Sequence, residues 1–169
     1  MANWTLNDYK ARLANLVIAD SDALPDGKRS EAVQVAVELF SQSFPRTVVA
    51  ELAGDGGFDF PLPAGWVEDF SAIHQIECPA GERPARYIES DEWSLYRSSS
   101  GLRLRLASPL AAGRSALVAF SVLHQVTASS GTISPAWSNA VAFLAASVAC
   151  NVAASYYAQT GESSIGADA

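Results

Sequence analysis

The sequence predicts an α+β fold: a helical hairpin plus a long C-terminal helix, with an inserted antiparallel β module of about six short strands. Three observations carry this. Two amphipathic segments at helical spacing open the chain, and short alternating segments broken by Gly and Pro follow them. Beyond these, no Lys, Arg, Asp or Glu occurs between Arg114 and Glu162. Charged side chains are almost never fully buried unless paired, so a run without them is most cheaply read as covered surface.

The first helix starts at Thr5, a good N-cap, with Asp8 three residues on to complete a capping box. Leu6, Tyr9, Leu13, Leu16 and Val17 recur at helical spacing and carry it to about Ala19. Asp20-Ser21-Asp22 and Pro25-Asp26-Gly27 make the turn. The second helix places Ala32, Val33, Ala36, Leu39 and Phe40 on one face and stops before Pro45. Residues 1–45 therefore form an antiparallel hairpin.

The period then changes, and residues 46–128 read as the β module. Val48, Ala50 and Leu52 alternate, and Gly54-Asp55-Gly56-Gly57 turns the chain into Phe58-Asp59-Phe60-Pro61. From Trp66 the even positions Phe70, Ala72, Ile76 and Cys78 are mostly apolar. Arg86-Tyr87-Ile88 is a short strand, and 92–97 and 102–106 flank Ser98-Ser99-Ser100-Gly101 as a hairpin. Leu102, Leu104 and Leu106 face a core while Arg103 and Arg105 face out. Residues 115–123 form the last strand. The long helix is expected over 134–158 as the central post on which the first two pack, with 159–169 as a flexible tail.

The chain of 169 residues is one domain with an elaborate insertion. Its net charge of −7 and its two lysines, Lys10 and Lys28, argue against tight binding to phosphate backbones. Cys78 and Cys150 are too few for a disulfide scaffold and read as small buried apolar groups. No signal-peptide pattern opens the sequence, so the Asn3-Trp4-Thr5 sequon reads as chance. The long helix has the length of a membrane span. Ala dominates it, however, and Ser147, Asn151 and Ser155 make one polar stripe, so a buried or interface helix is expected and no membrane.

The residues alone reveal no enzyme. His74 and Cys78 sit four apart on a strand and could share a metal, but zinc needs three or four ligands, and His124 and Cys150 have no matching spacing. A half-buried His and a core Cys are expected instead. No Gly-x-Ser-x-Gly elbow and no P-loop occur. The acid pairs Glu68/Asp69 and Asp91/Glu92 are adjacent and point to opposite faces. Trp66, Trp93 and Tyr96 could line a glycan site, which would require that they be exposed together. No cofactor is expected.

Several features together resemble the tailed-bacteriophage head–tail connector, or adaptor, proteins. They are the opening helix from Trp4, Phe58-Asp59-Phe60-Pro61-Leu62-Pro63 followed by Trp66 and Phe70, and Arg83-Pro84-Ala85-Arg86-Tyr87-Ile88. Trp93-Ser94-Leu95-Tyr96-Arg97, residues 101–106 and the Ala-rich helix ending Tyr156-Tyr157-Ala158-Gln159-Thr160-Gly161 complete the set.

The resemblance implies a virion structural protein at the head–tail junction, assembled in the bacterial host cytoplasm and without catalysis. Copies would form a twelve-fold ring between the portal protein and the next tail or neck protein, with double-stranded DNA only passing through. The tail tubular proteins of short-tailed phages are similar in their helical core with an inserted β module. In such families the C-terminal segment grips the portal, which here falls on Gln159, Thr160, Gly161, Ser164 and Ile165. Relatives continue with a charged helical tail where this sequence stops at Ala169. The expected subunit interface uses Trp137, Val141, Leu144, Val148 and Tyr156 of the long helix, with Arg103 and Arg105 of the β module. A small-ligand or glycan-binding β module is the alternative.

Overall fold

The computed structural model describes residues 2–161. The fold is α+β, with three helices and two small antiparallel sheets of three strands each. The chain divides into two compact units. One is Met1–Phe44 with Leu123–Ala169, and the other is Pro45–Val122.

In the helical unit, α1 spans Leu6–Leu16 and α2 spans Asp26–Ser43. The capping box forms: Asp8 N–H donates to Thr5 Oγ1, and Thr5 N–H donates to Asp8 Oδ2 at 2.8 Å. The bonds that Thr5 N–H and Thr5 Oγ1 donate to the carboxylate hold the Asp8 carboxyl below its ordinary value. The helix ends three residues before the expected Ala19. Val17 and Ile18 are β-branched and stiff at χ1, and Val17 leaves the helix in an extended conformation that buries its side chain. An ion pair between Lys10 and Asp26 at 2.6 Å links α1 to the start of α2.

Helix α3 spans Pro135–Gly161, longer than the expected 134–158. Thr160 Oγ1 donates to Tyr156 O at 3.0 Å inside its last turn. Gln159, Thr160 and Gly161 are therefore helical and not part of a tail, while Ser164 and Ile165 lie outside the described residues. α3 packs on both α1 and α2. Small side chains on its inner face, Ala142, Ala145 and Ala149, let it approach Tyr9, Leu13, Val33 and Val37 closely in one core.

Residues 123–133 belong with the helices and not with the β module, whose expected limit was 128, because Val126 and Ile133 bury their side chains in the helical core. Gly131 is required there: a β-carbon would collide with the Trp4 carbonyl oxygen.

The β unit holds β1 (Arg46–Ala53), β2 (Asp59–Pro61), β3 (Ile73–Glu77), β4 (Trp93–Ser98), β5 (Gly101–Leu106) and β6 (Ser115–Val122). One sheet has the order β1-β6-β3 and the other β2-β5-β4. Leu52, Ile76, Val118 and Phe120 from the first and Phe60, Leu104 and Leu106 from the second share one core. The β4–β5 turn is completed by Gly101 at φ 108°, which a side chain would resist.

Two expectations fail in this unit. Residues 66–72 are turns and not strand, and a register shift between Ile73 and Gln75 breaks the even-position pattern, leaving His74 and Ala72 exposed. Residues 86–88 form a bridge at Tyr87 and backbone hydrogen bonds to Ile76 and Cys78 at the end of β3 instead of a strand of the sheet.

Candidate functional site

α3 carries no charged side chain. Its most apolar 18-residue window has a mean hydropathy of 1.5, yet only 28% of that window is buried within the chain. Residues three and four apart share a helix face. Ser138, Val141, Ala142, Ala145, Ala149 and Ala153 form the buried face, whereas Ala136, Ala140, Phe143, Ser147, Asn151 and Ala154 point away from it. Phe143 stands 57% exposed in the middle of that outward face. Trp137, 47% exposed, stacks on Phe44 with ring centroids 5.2 Å apart, so two large aromatics lie side by side at the surface.

The expected interface residues of α3 separate on this geometry. Val141 is fully buried against α1 and α2 and cannot meet another subunit, which corrects its assignment. Leu144 and Val148 are half-buried and pack on the same core, Tyr156 is half-buried, and Trp137 is open. The sequence reading missed Phe143. Cys150 is exposed on the outward side, not buried as expected. Along the C-terminal half of α3, Val148, Val152, Tyr156 and Gln159 line a groove of about 660 Å³ with Pro25 and Lys28.

His124 is held between the helices. Its Nε2 lies 3.1 Å from the Phe44 carbonyl oxygen and its Nδ1 3.1 Å from Thr132 Oγ1. A carbonyl only accepts, so Nε2 carries a proton. His124 is thus a structural clip for the α2 C-terminus. Among the described residues no three His, Cys, Asp or Glu side chains gather as a metal would require.

Arg103 and Arg105 serve the fold of their own sheet. Arg105 donates twice to the Asp59 carboxylate, at 2.7 and 2.9 Å, and lies 4.3 Å from the centroid of the Tyr96 ring. Arg103 Nη2 donates to the Asp59 carbonyl oxygen at 3.1 Å. Both expected interface arginines are therefore engaged within the chain.

The Arg105 hydrogen bonds hold the Asp59 carboxyl below its ordinary value. A depressed carboxyl contributes stability above its unfolded value and loses it as pH falls through the folded one. The melting temperature of the unaltered chain should exceed that of Asp59→Asn at neutral pH. That gap should close below about pH 4, which scanning calorimetry across the acid range measures directly.

Trp66, Trp93 and Tyr96 are all half-buried, and Trp93 lines a separate hollow with Phe58, Asp59 and Arg105. Trp66 packs on Phe120 in the β core at 5.9 Å and Tyr96 lies beneath Arg105. A cavity of about 240 Å³ lies between Cys78, Arg86, Ile88, Leu106, Leu110 and Arg114. Its two arginines are paired, Arg86 with Glu92 and Arg114 with Glu82.

Among the described residues the outward face of α3 is one of several apolar surfaces left open, with Ile18, Val49, Phe58 and Tyr87 exposed elsewhere. Comparisons with protein-family models, curated proteins and solved structures found no match.

Proposed function

We propose that this chain is the repeating subunit of an adaptor ring between the portal and the tail of a tailed phage. The observation that supports the reading is the outward face of α3, an uncharged helix mostly uncovered by its own chain, with Phe143 and Trp137 at the surface. Large exposed apolar surface on a folded chain marks a contact with another molecule. The small residues beside Phe143 allow a neighbouring helix to come close.

By length and composition α3 could also cross a membrane. α2, packed along it, carries Lys28, Arg29, Glu31 and Glu38, and a bilayer would have to take in those charges too. A protein neighbour asks for no such burial. The net charge of −7 with only two lysines suits a channel that DNA crosses without sticking.

Immunogold electron microscopy of the phage particles tests the reading. Label at the head–tail junction is the expected result. Particles bare of label, before and after the tails are sheared off, would end it.

A further inference from the structure

We infer that neighbouring copies of this chain join by strand pairing, the free edge of β1 in one copy against the free edge of β4 in the next. The inference deepens the ring reading and rests on it. β1 is eight residues long and pairs with β6 alone, and β4 is six residues long and pairs with β5 alone. Among the described residues neither strand has a backbone hydrogen bond on its other side.

The other two edges are shorter or interrupted. Cys78 N–H donates to Arg86 O and Ile88 N–H to Ile76 O, so residues 86–88 cover the C-terminal end of β3, and a register shift at Ile73/Gln75 breaks the rest of that edge. β2 has three residues and ends in Pro61, which has no N–H to offer.

A bare strand edge is a row of backbone donors and acceptors that only another extended segment can fill. Proteins guard such edges with Lys, Pro or a bulge. Neither β1 nor β4 contains Lys or Pro, their charges are limited to Arg46, Glu51 and the Glu68-paired Arg97, and among the described residues the register shift of the first sheet lies in β3.

A second copy fits because the two edges differ and sit on one unit. Unlike edges pair head to tail, and a head-to-tail contact repeats until the rotation closes a ring. Aligned antiparallel, Thr47 falls opposite Ser98, Val49 opposite Tyr96 and Glu51 opposite Ser94. Val49 is 62% exposed, and β-branched against aromatic and Thr against Ser are favourable cross-strand pairs. On the inner face the same register sets Ala50 against Leu95 and Leu52 against Trp93, extending the apolar layer over those two pairs, while Val48 falls opposite Arg97.

Disulfide trapping tests the register. Thr47→Cys and Ser98→Cys are made separately in a chain also carrying Cys78→Ala and Cys150→Ser, then mixed, assembled and oxidised. The expected result is covalent dimer in the mixture and none in either variant alone. One chain carrying both cysteines should give a ladder of multimers. Dimers of a Val49→Cys chain by itself would reveal symmetric β1–β1 pairing and overturn the inference. Rings visible by electron microscopy without trapping in the mixture would overturn the strand pairing and leave the ring standing. A chain that stays monomeric, untrapped and without rings would overturn both.

Discussion

Phe143→Lys combined with Ala154→Lys is expected to weaken assembly of the ring while leaving the chain folded. Both positions lie on the exposed face of α3, and Lys is a good helix former, so the helical core should be unaffected. Burying a Phe side chain at a contact is worth about 1.5–3 kcal/mol, or roughly a 10- to 100-fold change in the affinity of each contact. A lysine placed there adds the cost of desolvating a charge. In a ring of identical copies every contact carries the change, so the loss recurs once per subunit around the ring. Native mass spectrometry reads the assembly state, and circular dichroism shows whether the helices persist. A variant that still assembles like the parent would remove the outward face of α3 from the interface.

The second large effect is expected inside the β unit. Phe120→Ala should destabilise it by about 3–5 kcal/mol, a substantial part of the 5–15 kcal/mol typical of a whole domain. Phe120 is fully buried on β6, the middle strand of its sheet, opposite Val48 on one side and Ile73 on the other, with Trp66 stacked over it. No neighbour can move in without breaking one of those registers. Hydrogen exchange should show β1, β3 and β6 losing protection while amides of α1, α2 and α3 keep theirs. Equal loss in both units would mean that they unfold as one.

Elements with a strong period were legible in the sequence. Thr5 and Asp8 announced the start of α1, and the Leu102, Leu104, Leu106 alternation announced β5. Pro45 marked the end of α2. Where one local rule met a stronger tertiary demand, the reading slipped. Val17 could continue a helical stripe, but its side chain reaches the core from an extended backbone. A register shift in β3 is invisible to a period-two count and displaced His74 from the face it shared with Cys78 on paper.

The candidate surface was half legible. Freedom from charge predicted a helix that touches protein on several sides, and the structure shows one such side, packed on α1 and α2. The sequence could not say which side faced inward, because apolar residues surround the helix and no stripe stands out. Val141 and Phe143 look alike in such a run, and only the positions of α1 and α2 separate them. The contacts of Arg103 and Arg105 were not legible for another reason. Their partner Asp59 lies far away in sequence, and no local pattern predicts that the carboxylate will take Arg105.

The first and last strands of the β unit are neighbours, with Arg46 directly opposite Val122 in the β1–β6 pair. Once that sheet zips, the end of α2 and the segment leading to α3 emerge a strand spacing apart. Folding of the insertion thereby removes most of the chain entropy that would otherwise oppose the meeting of α3 with α1 and α2. During synthesis this imposes an order. α1 and α2 leave the ribosome with the apolar residues that α3 will cover still exposed, and they wait through all six strands for it. The β unit can complete itself in the meantime and then act as the clasp that brings the late helix to the early pair. A chain interrupted before residue 135 would present a finished β unit beside two helices with an uncovered apolar face, a species that quality-control proteases and chaperones would be expected to recognise.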